Sequence, residues 1–519
     1  MFSDLLRCKA APSLGCGILA LLLLLGGCDT APPSHIRFGV QSLPQNFDPR
    51  YATDAASERV NHLLYRGLVR FDQGRRPIPD LAEWSRPQLN RYRFTLRDQP
   101  LFDDGSRLSM RDVAATYEAI LDPQNHSPHR TTLSVIDEIR VVDDVTLEFV
   151  LKRPDPFFPS YLVTGAMPAG LLGSRHDFTQ QPVGSGRFRL LERDASHVLL
   201  LRKSDRQKIE LVLVKDPAIR VLKLLRGEIH LMQNDLSPSL VEYLSRQEHV
   251  RLMSSDGSNF TYLGFNLEDP LTADHRIREA IAHAIDRRAI LHYVFHDRAR
   301  LANALFPPEH QLAERSLQAI RHDQQRARDL LSQAGYDAQH PLTLTYKTSS
   351  DPFRLRLATI IQYQLAEVGV EVLIKSYDWG TFFGDIKSGN FQLYSLTWVG
   401  IKTPDTFRYI FHSDSVPPAG ANRGRYRSQE ADSLIESAEA QQQIEQQIPL
   451  YRQLQLKLLS DLPYVPLWYE DQLVVYRHQQ VAGYRVTADG SYDALEQIQW
   501  IDPHTHTDGK SSSASAGRN

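Results

Sequence analysis

The chain has 519 residues, 42% of them hydrophobic and 23% charged, a globular composition with core enough for two or three domains. Its formal charge of −3 gives no electrostatic reason to expect nucleic acid as a partner. Its three cysteines are Cys8, Cys16 and Cys28, so no disulfide framework is available beyond the first 28 residues, and the fold must stand on its core alone.

In chain order, Arg7 and Lys9 form a positive segment, Ile18 to Leu25 an apolar one, and Leu25-Gly26-Gly27-Cys28 places small residues before a cysteine. That order is the pattern of a signal peptide over residues 1–27, and the apolar run falls short of the ~20 residues that span a bilayer. The run resembles a bacterial lipobox, which implies acylation of Cys28 and a membrane anchor through its lipid, with residues 28–34 as tether. Asp29 after it resembles an inner-membrane retention signal. An ordinary cleaved leader with a coincidental cysteine is the alternative.

Ile36 to Val40 alternates as a strand and ends in a turn-rich stretch containing Ser42 and Leu43. A helix is predicted from about Ala55 to Tyr65, strands at Tyr92–Arg97 and Thr146–Leu151, and a helix over 112–121. Asp216-Pro217 reads as a helix cap with proline in the first turn, and Gly227 as its stop. From Ser258 onward α and β segments alternate: helices at 276–290, 323–334, 353–368 and 381–387, strands at 342–345 and 370–374. Residues 391–411, FQLYSLTWVGIKTPDTFRYIF, read as a buried strand over 391–397, a loop at Trp398-Val399-Gly400, and a helix capped by Thr403 with Pro404 in its first turn. A strand running into a loop and a helix N-terminus is where α/β sheets place ligands, and the indole of Trp398 offers a flat wall there. On this stretch alone, Trp398 as plain core packing weighs equally.

Catalytic patterns are missing. The chain has no His-Glu-x-x-His, no phosphate-cradling loop ending in Lys-Ser/Thr and no Gly-x-Ser-x-Gly elbow. Asp103-Asp104 beside Gly105 reads as a turn, and His504 and His506 as solvated tail residues. The reading is a non-enzyme that needs neither cofactor nor metal.

Pro79-Asp80-Leu81-Ala82-Glu83-Trp84, Phe94 to Arg97, Phe102 to Gly105 and Asp112-Val113 resemble the family 5 extracellular solute-binding proteins, receptors of peptide and nickel ABC importers. The likeness continues through Pro182 to Gly186, Leu225 to Ile229, Tyr262 to Asn266, Arg276 to Arg287, Ala334-Gly335-Tyr336 and Pro463 to Trp468. Tyr377-Asp378-Trp379-Gly380, Trp398-x-Gly400 and Pro404-Asp405-x-Phe407 bring it closest to the dipeptide/oligopeptide-binding branch.

The resemblance implies a two-lobed α/β periplasmic-binding-protein fold, large and class II-like, with a subdomain inserted in the first lobe. Lobe I would take residues 35–54, 182–258 and 476–501, the inserted subdomain 55–181 and lobe II 259–475. Residues 502–519 read as a disordered tail. The lobes would close by a hinge on a small peptide or peptide-like solute and deliver it, as a monomer, to ABC permease subunits. Ser42 and Leu43 would face Trp398, Val399 and Gly400, with Trp379 beside them and Asn259 and Tyr262 at the rim; core or hinge packing is the alternative for each.

One departure stands out. Where the peptide receptors carry an aspartate for the ligand's α-ammonium, this chain has Ile401 and then Lys402. A buried ammonium without its carboxylate loses on the order of a few kcal/mol. Either Asp405 or Asp378 substitutes, or the ligand is N-blocked or anionic, with Lys402 as an anion partner. A nickel chelate, an oligosaccharide, or a tethered sensory or scaffold role are the rival readings.

Overall fold

The computed structural model describes residues 35–72, 76–401 and 403–501. The leader with Cys28, the tether, Lys402 and the 502–519 tail lie outside the described residues. Among the described residues no helix is long and apolar enough to cross a membrane.

One mixed sheet of eleven strands runs through the molecule. On one side Ile36–Val40 lies parallel to Lys208–Leu213 and to Leu231–Gln233, with Ile36 opposite Ile209 and Phe38 opposite Leu231. On the other, Leu342–Ser349 lies parallel to Val370–Tyr377 and to Leu393–Trp398. Two long strands join the halves. Arg251–Phe265 and Tyr464–Tyr476 pair antiparallel from Arg251/Tyr476 to Gly264/Tyr464, and the register shifts between Ser255 and Asn259. Gly257 sits in that shift, where an added Cβ would fall 1.9 Å from the Glu470 carbonyl oxygen, so the crossing admits only glycine without rearrangement. The parallel strands of both halves point their carboxyl ends toward this crossing, the geometry that opens a crevice in α/β sheets.

A separate antiparallel sheet, ordered Ala82–Gln88, Arg91–Leu96, Thr146–Leu151, Ile136–Val141, packs against the helix Met110–Leu121. Phe149 makes edge contacts with Phe94 at 5.7 Å and Tyr117 at 5.5 Å. Phe157 leaves this unit and is buried among Phe306, Phe407 and Tyr451 across the crevice. Arg153 Nη1 reaches Glu439 at 3.6 Å, and Arg86 Nη1 donates to the Gln442 carbonyl at 2.8 Å. Three contacts thus tie that subdomain to the distant half of the chain.

Local grammar explains most elements. Asp216 accepts from the Ile219 N–H at 2.9 Å ahead of the helix Pro217–Arg226, and Gly227 ends it at φ +76°. The helix expected over 276–290 is two, His275–Ala284 and Arg287–Tyr293. The break lies at Asp286, which caps the second helix through the Ala289 N–H at 2.9 Å. The expected strand over 391–397 is Leu393–Trp398. Gln392 turns its side chain to the Thr345 N–H at 2.8 Å, and the Phe391 carbonyl accepts from Asn266, so neither opens the ladder.

Candidate ligand-binding cleft

Strand Leu393–Trp398, expected to be buried, is so only at Leu393 and Tyr394 and is half-buried from Ser395 to Trp398. Its partner is the crossing strand, with Trp398 opposite Phe260, Thr397 opposite Thr261 and Leu396 opposite Tyr262. Period two puts Tyr394 and Trp398 on one face, Ser395 and Thr397 on the other. The first face meets Phe260, Tyr262 and Tyr464 in an aromatic cluster. Tyr262 is buried there, its hydroxyl 3.3 Å from that of Tyr394, so it lies in the core rather than at a rim.

The loop after Trp398 opens into a cleft of about 430 Å³. Val399, Gly400, Thr403, Asp405 and Thr406 form one wall; Arg59, Tyr65, His129, Gly165 and Asp493 are among those opposite. Val399 is 54% exposed. Gly400 has φ +74° with nothing near an added Cβ, so its backbone angle and not its space demands glycine. Gly400→Ala is expected to cost about 1 kcal/mol of stability through left-handed strain and to weaken ligand binding by displacing Val399. Chemical denaturation and titration calorimetry measure the two effects.

Ile401 turns inward and is buried in the cluster that holds Phe407 and Ile410. The helix that follows is Asp405–Phe411, with Pro404 rather than Thr403 at the cap. Thr403 contributes its carbonyl, which accepts from the Thr406 N–H at 3.4 Å. Asp405 is open to cleft water yet enclosed by the walls. Burial pushes its carboxyl above the ordinary value, against a lowering by the Thr403 hydroxyl, and Glu439 adds repulsion. Asp378 is committed elsewhere: it caps the helix Trp379–Ser388 through the Thr381 N–H at 3.1 Å, which with the Thr381 hydroxyl holds its carboxyl low.

Of the residues singled out from the sequence, Val399, Gly400 and Asp405 share the cleft wall, and Trp398 and Tyr262 share a smaller cavity of about 20 Å³. Trp379 is 59% exposed and stacks on Phe383 at 5.4 Å. Ser42 is exposed, Leu43 packs on the core of the first half, and Asn259 lies opposite Glu470 at the crossing.

Several residues at the crossing carried no sequence signal. Glu470 Oε1 accepts from Thr261 Oγ1 at 2.9 Å and from Arg354 Nη1 at 3.0 Å, and Thr261 meets Thr397 Oγ1 at 2.7 Å. Burial pushes the Glu470 carboxyl up, but Arg354 and Thr261 more than offset it and hold it below the ordinary value. At the other half's strand ends, Asn234 and Asp235 both have positive φ, 57° and 53°. Gln41, with its amide nitrogen facing Asp235, donates to the two carboxylate oxygens at 3.2 and 3.1 Å. Two successive left-handed residues without glycine are a strained turn at the crevice edge. Among the described residues no group of three or more His, Cys, Asp or Glu side chains could hold a metal ion.

Comparison with known proteins places this arrangement. Residues 76–417 match the family model of the bacterial extracellular solute-binding proteins, family 5 (middle). The di/tripeptide-binding protein 2 of Pseudomonas aeruginosa (strain UCBPP-PA14) is 27% identical, covering 92% of this chain and 97% of that protein. The dipeptide-binding protein of Escherichia coli (strain K12) is 25% identical over 86% of this chain and 91% of its own length. The crystal structure of NikZ from Campylobacter jejuni in complex with Ni(L-His) superposes with a TM-score of 0.79 at 23% identity, covering 90% and 99% of the two chains, a likeness of fold.

Proposed function

The chain belongs to family 5 of the bacterial extracellular solute-binding proteins, and on that premise we propose that it captures a peptide or peptide-like solute between its two lobes and delivers it to an ABC permease. The family binds solutes and does not transform them. The observation that carries the peptide-class reading is the placement of Trp398-Val399-Gly400. It sits at the carboxyl end of a sheet strand, beside the double crossing, and its Val399 and Gly400 line the cleft. Relatives that bind dipeptides and tripeptides over nearly the whole chain length support it.

In this reading lobe I comprises 35–54, 182–258 and 476–501, the inserted subdomain 55–181 and lobe II 259–475. Closure brings Val399 and Asp405 toward Arg59 and Tyr65, and the ligand backbone pairs with the strand ends while roomy pockets take its side chains. The protein works as a monomer at the periplasmic face, held to the inner membrane through lipid on Cys28.

Ile401 refines the ligand. Its side chain is buried in apolar surroundings, Asp378 is occupied as a helix cap, and Asp405 on the cleft wall is disfavoured as an anion by burial and by Glu439, so the site is poor in carboxylate for an α-ammonium. The favoured solute is N-blocked or anionic at that end. Titration calorimetry with tri-alanine and N-acetyl-tri-alanine tests this: the acetylated form binds at least as tightly. Tighter binding of the free form, unchanged in Ile401→Asp, overturns it. Trp398→Ala is expected to weaken whichever form binds by about tenfold, since a half-buried indole contributes roughly 1–2 kcal/mol of contact.

A further inference from the structure

Resting on the reading of the cleft as a solute site, we propose that Arg423 receives a carboxylate group of the bound solute. Its guanidinium lies over two aromatic rings. Its carbon lies 4.4 Å from the Trp398 ring centre and 5.2 Å from that of Phe383, which itself stacks on exposed Trp379. One N–H is spent: Nη1 donates to the Tyr262 hydroxyl at 3.2 Å. A guanidinium carries five N–H donors in a planar fork, so most of this one remains to be used.

The charge is also uncompensated. Neighbouring Arg425 and Arg427 pair with Glu268, and Arg408 with Glu439, while among the described residues no carboxylate reaches Arg423. The deeply buried arginines behave differently. Arg278 spends its donors on four backbone carbonyls and Arg287 on three. Arg423 is only half-buried, and the cavity at its side, about 20 Å³ and lined by Trp398, Tyr262 and Tyr394, has room for about one water. Ile401, three residues along from Trp398, is buried and apolar, so nothing acidic neutralises the guanidinium from that side.

A cation held over two rings, with most of its donors unspent and next to the residues that line the cleft, matches a carboxylate that can accept two parallel hydrogen bonds. The two ring contacts and the bond to Tyr262 also lower the cost of ordering the long side chain on binding, because its head is already held in place. The charge logic at Trp398 is therefore basic, the inverse of an ammonium site.

Titration calorimetry of the full chain tests this with tri-alanine, tri-alanine amide and Ala-Glu-Ala amide, using wild type and Arg423→Met, which keeps the length of the stem. Arg423→Gln serves if the methionine variant does not fold. The expected result is at least about tenfold tighter binding of tri-alanine over its amide if the terminal carboxylate is held, or of Ala-Glu-Ala amide over tri-alanine amide if a side chain is. Arg423→Met abolishes that preference. Equal affinity for acid and amide forms, or a preference that survives the substitution, overturns the proposal and leaves the solute-receptor reading standing. If none of the three binds, the peptide reading fails, and the solute released from purified protein decides Arg423. An acidic solute carried by wild type and lost from Arg423→Met upholds the proposal; a non-acidic solute, or none, overturns it.

Discussion

Glu470→Ala is expected to lower the unfolding free energy by about 3 kcal/mol, the low end of the range for breaking a buried ion pair because both side chains keep some solvent contact. The loss has two sources. Arg354 is left without its carboxylate in a crowded site, and Thr261 loses an acceptor where its other contact is Thr397. Glu470→Gln retains an acceptor for Thr261 and is expected to lose less. The same pair makes wild-type stability depend on acid. Glu470 titrates below its ordinary 4.5 in the folded chain, so its contribution is complete above that value and is lost as pH falls through the folded one. Urea denaturation of the three proteins at pH 7 and pH 3.5 measures this. The difference between wild type and Glu470→Ala shrinks at the lower pH.

A larger acid sensitivity is expected from His230. The ring is fully buried, Nδ1 accepts from the Arg37 N–H at 2.9 Å, and the ring edge meets Trp500 at 4.9 Å. Nε2 has no hydrogen-bond partner in the described structure. Burial, reinforced by the positive charges of Arg37 and Arg477 and by His35, lowers its pKa from 6.5 to about 4. A depressed histidine contributes stability above its unfolded value and loses it as pH falls through the folded one. The window therefore runs from pH 6.5 to about 4, and the loss across it is roughly 3 kcal/mol. In His230→Asn, whose Oδ1 can still accept from Arg37, the protein starts less stable but lacks this slope. Denaturant melts at half-unit pH steps check it; a wild-type curve flat through that window contradicts the assignment.

Elements governed by local chemistry were legible in the sequence. Asp216, Pro217 and Gly227 bracket their helix as their types demand, and the strand, loop and helix of 391–411 are present with shifted ends. The misreadings were also local. Pro404 takes the cap expected of Thr403, and Asp286 breaks a run whose apolar spacing alone looked continuous. What the sequence hid is contact at long range. Arg354 and Glu470 stand 116 positions apart, and Arg423 reaches Tyr262 across 161. Periodicity reports which face of an element is buried, not which distant element covers it. Tyr262 illustrates the limit: the family resemblance implied a rim, but alternation along the strand turns it into the aromatic core. Ile401 was visible as a missing acid, and the structure adds that its side chain faces away from the cleft into apolar packing.

The central claim, that the cleft beside Trp398 holds a transported solute, is tested most directly by native mass spectrometry of the full chain purified without denaturation from its own cell envelope. Wild type is predicted to carry a small solute in near one-to-one amount, released on denaturation, and Trp398→Ala to carry markedly less. Equal occupancy of the two proteins, or a wild type that carries nothing and gains no thermal stability from any peptide offered, would contradict it.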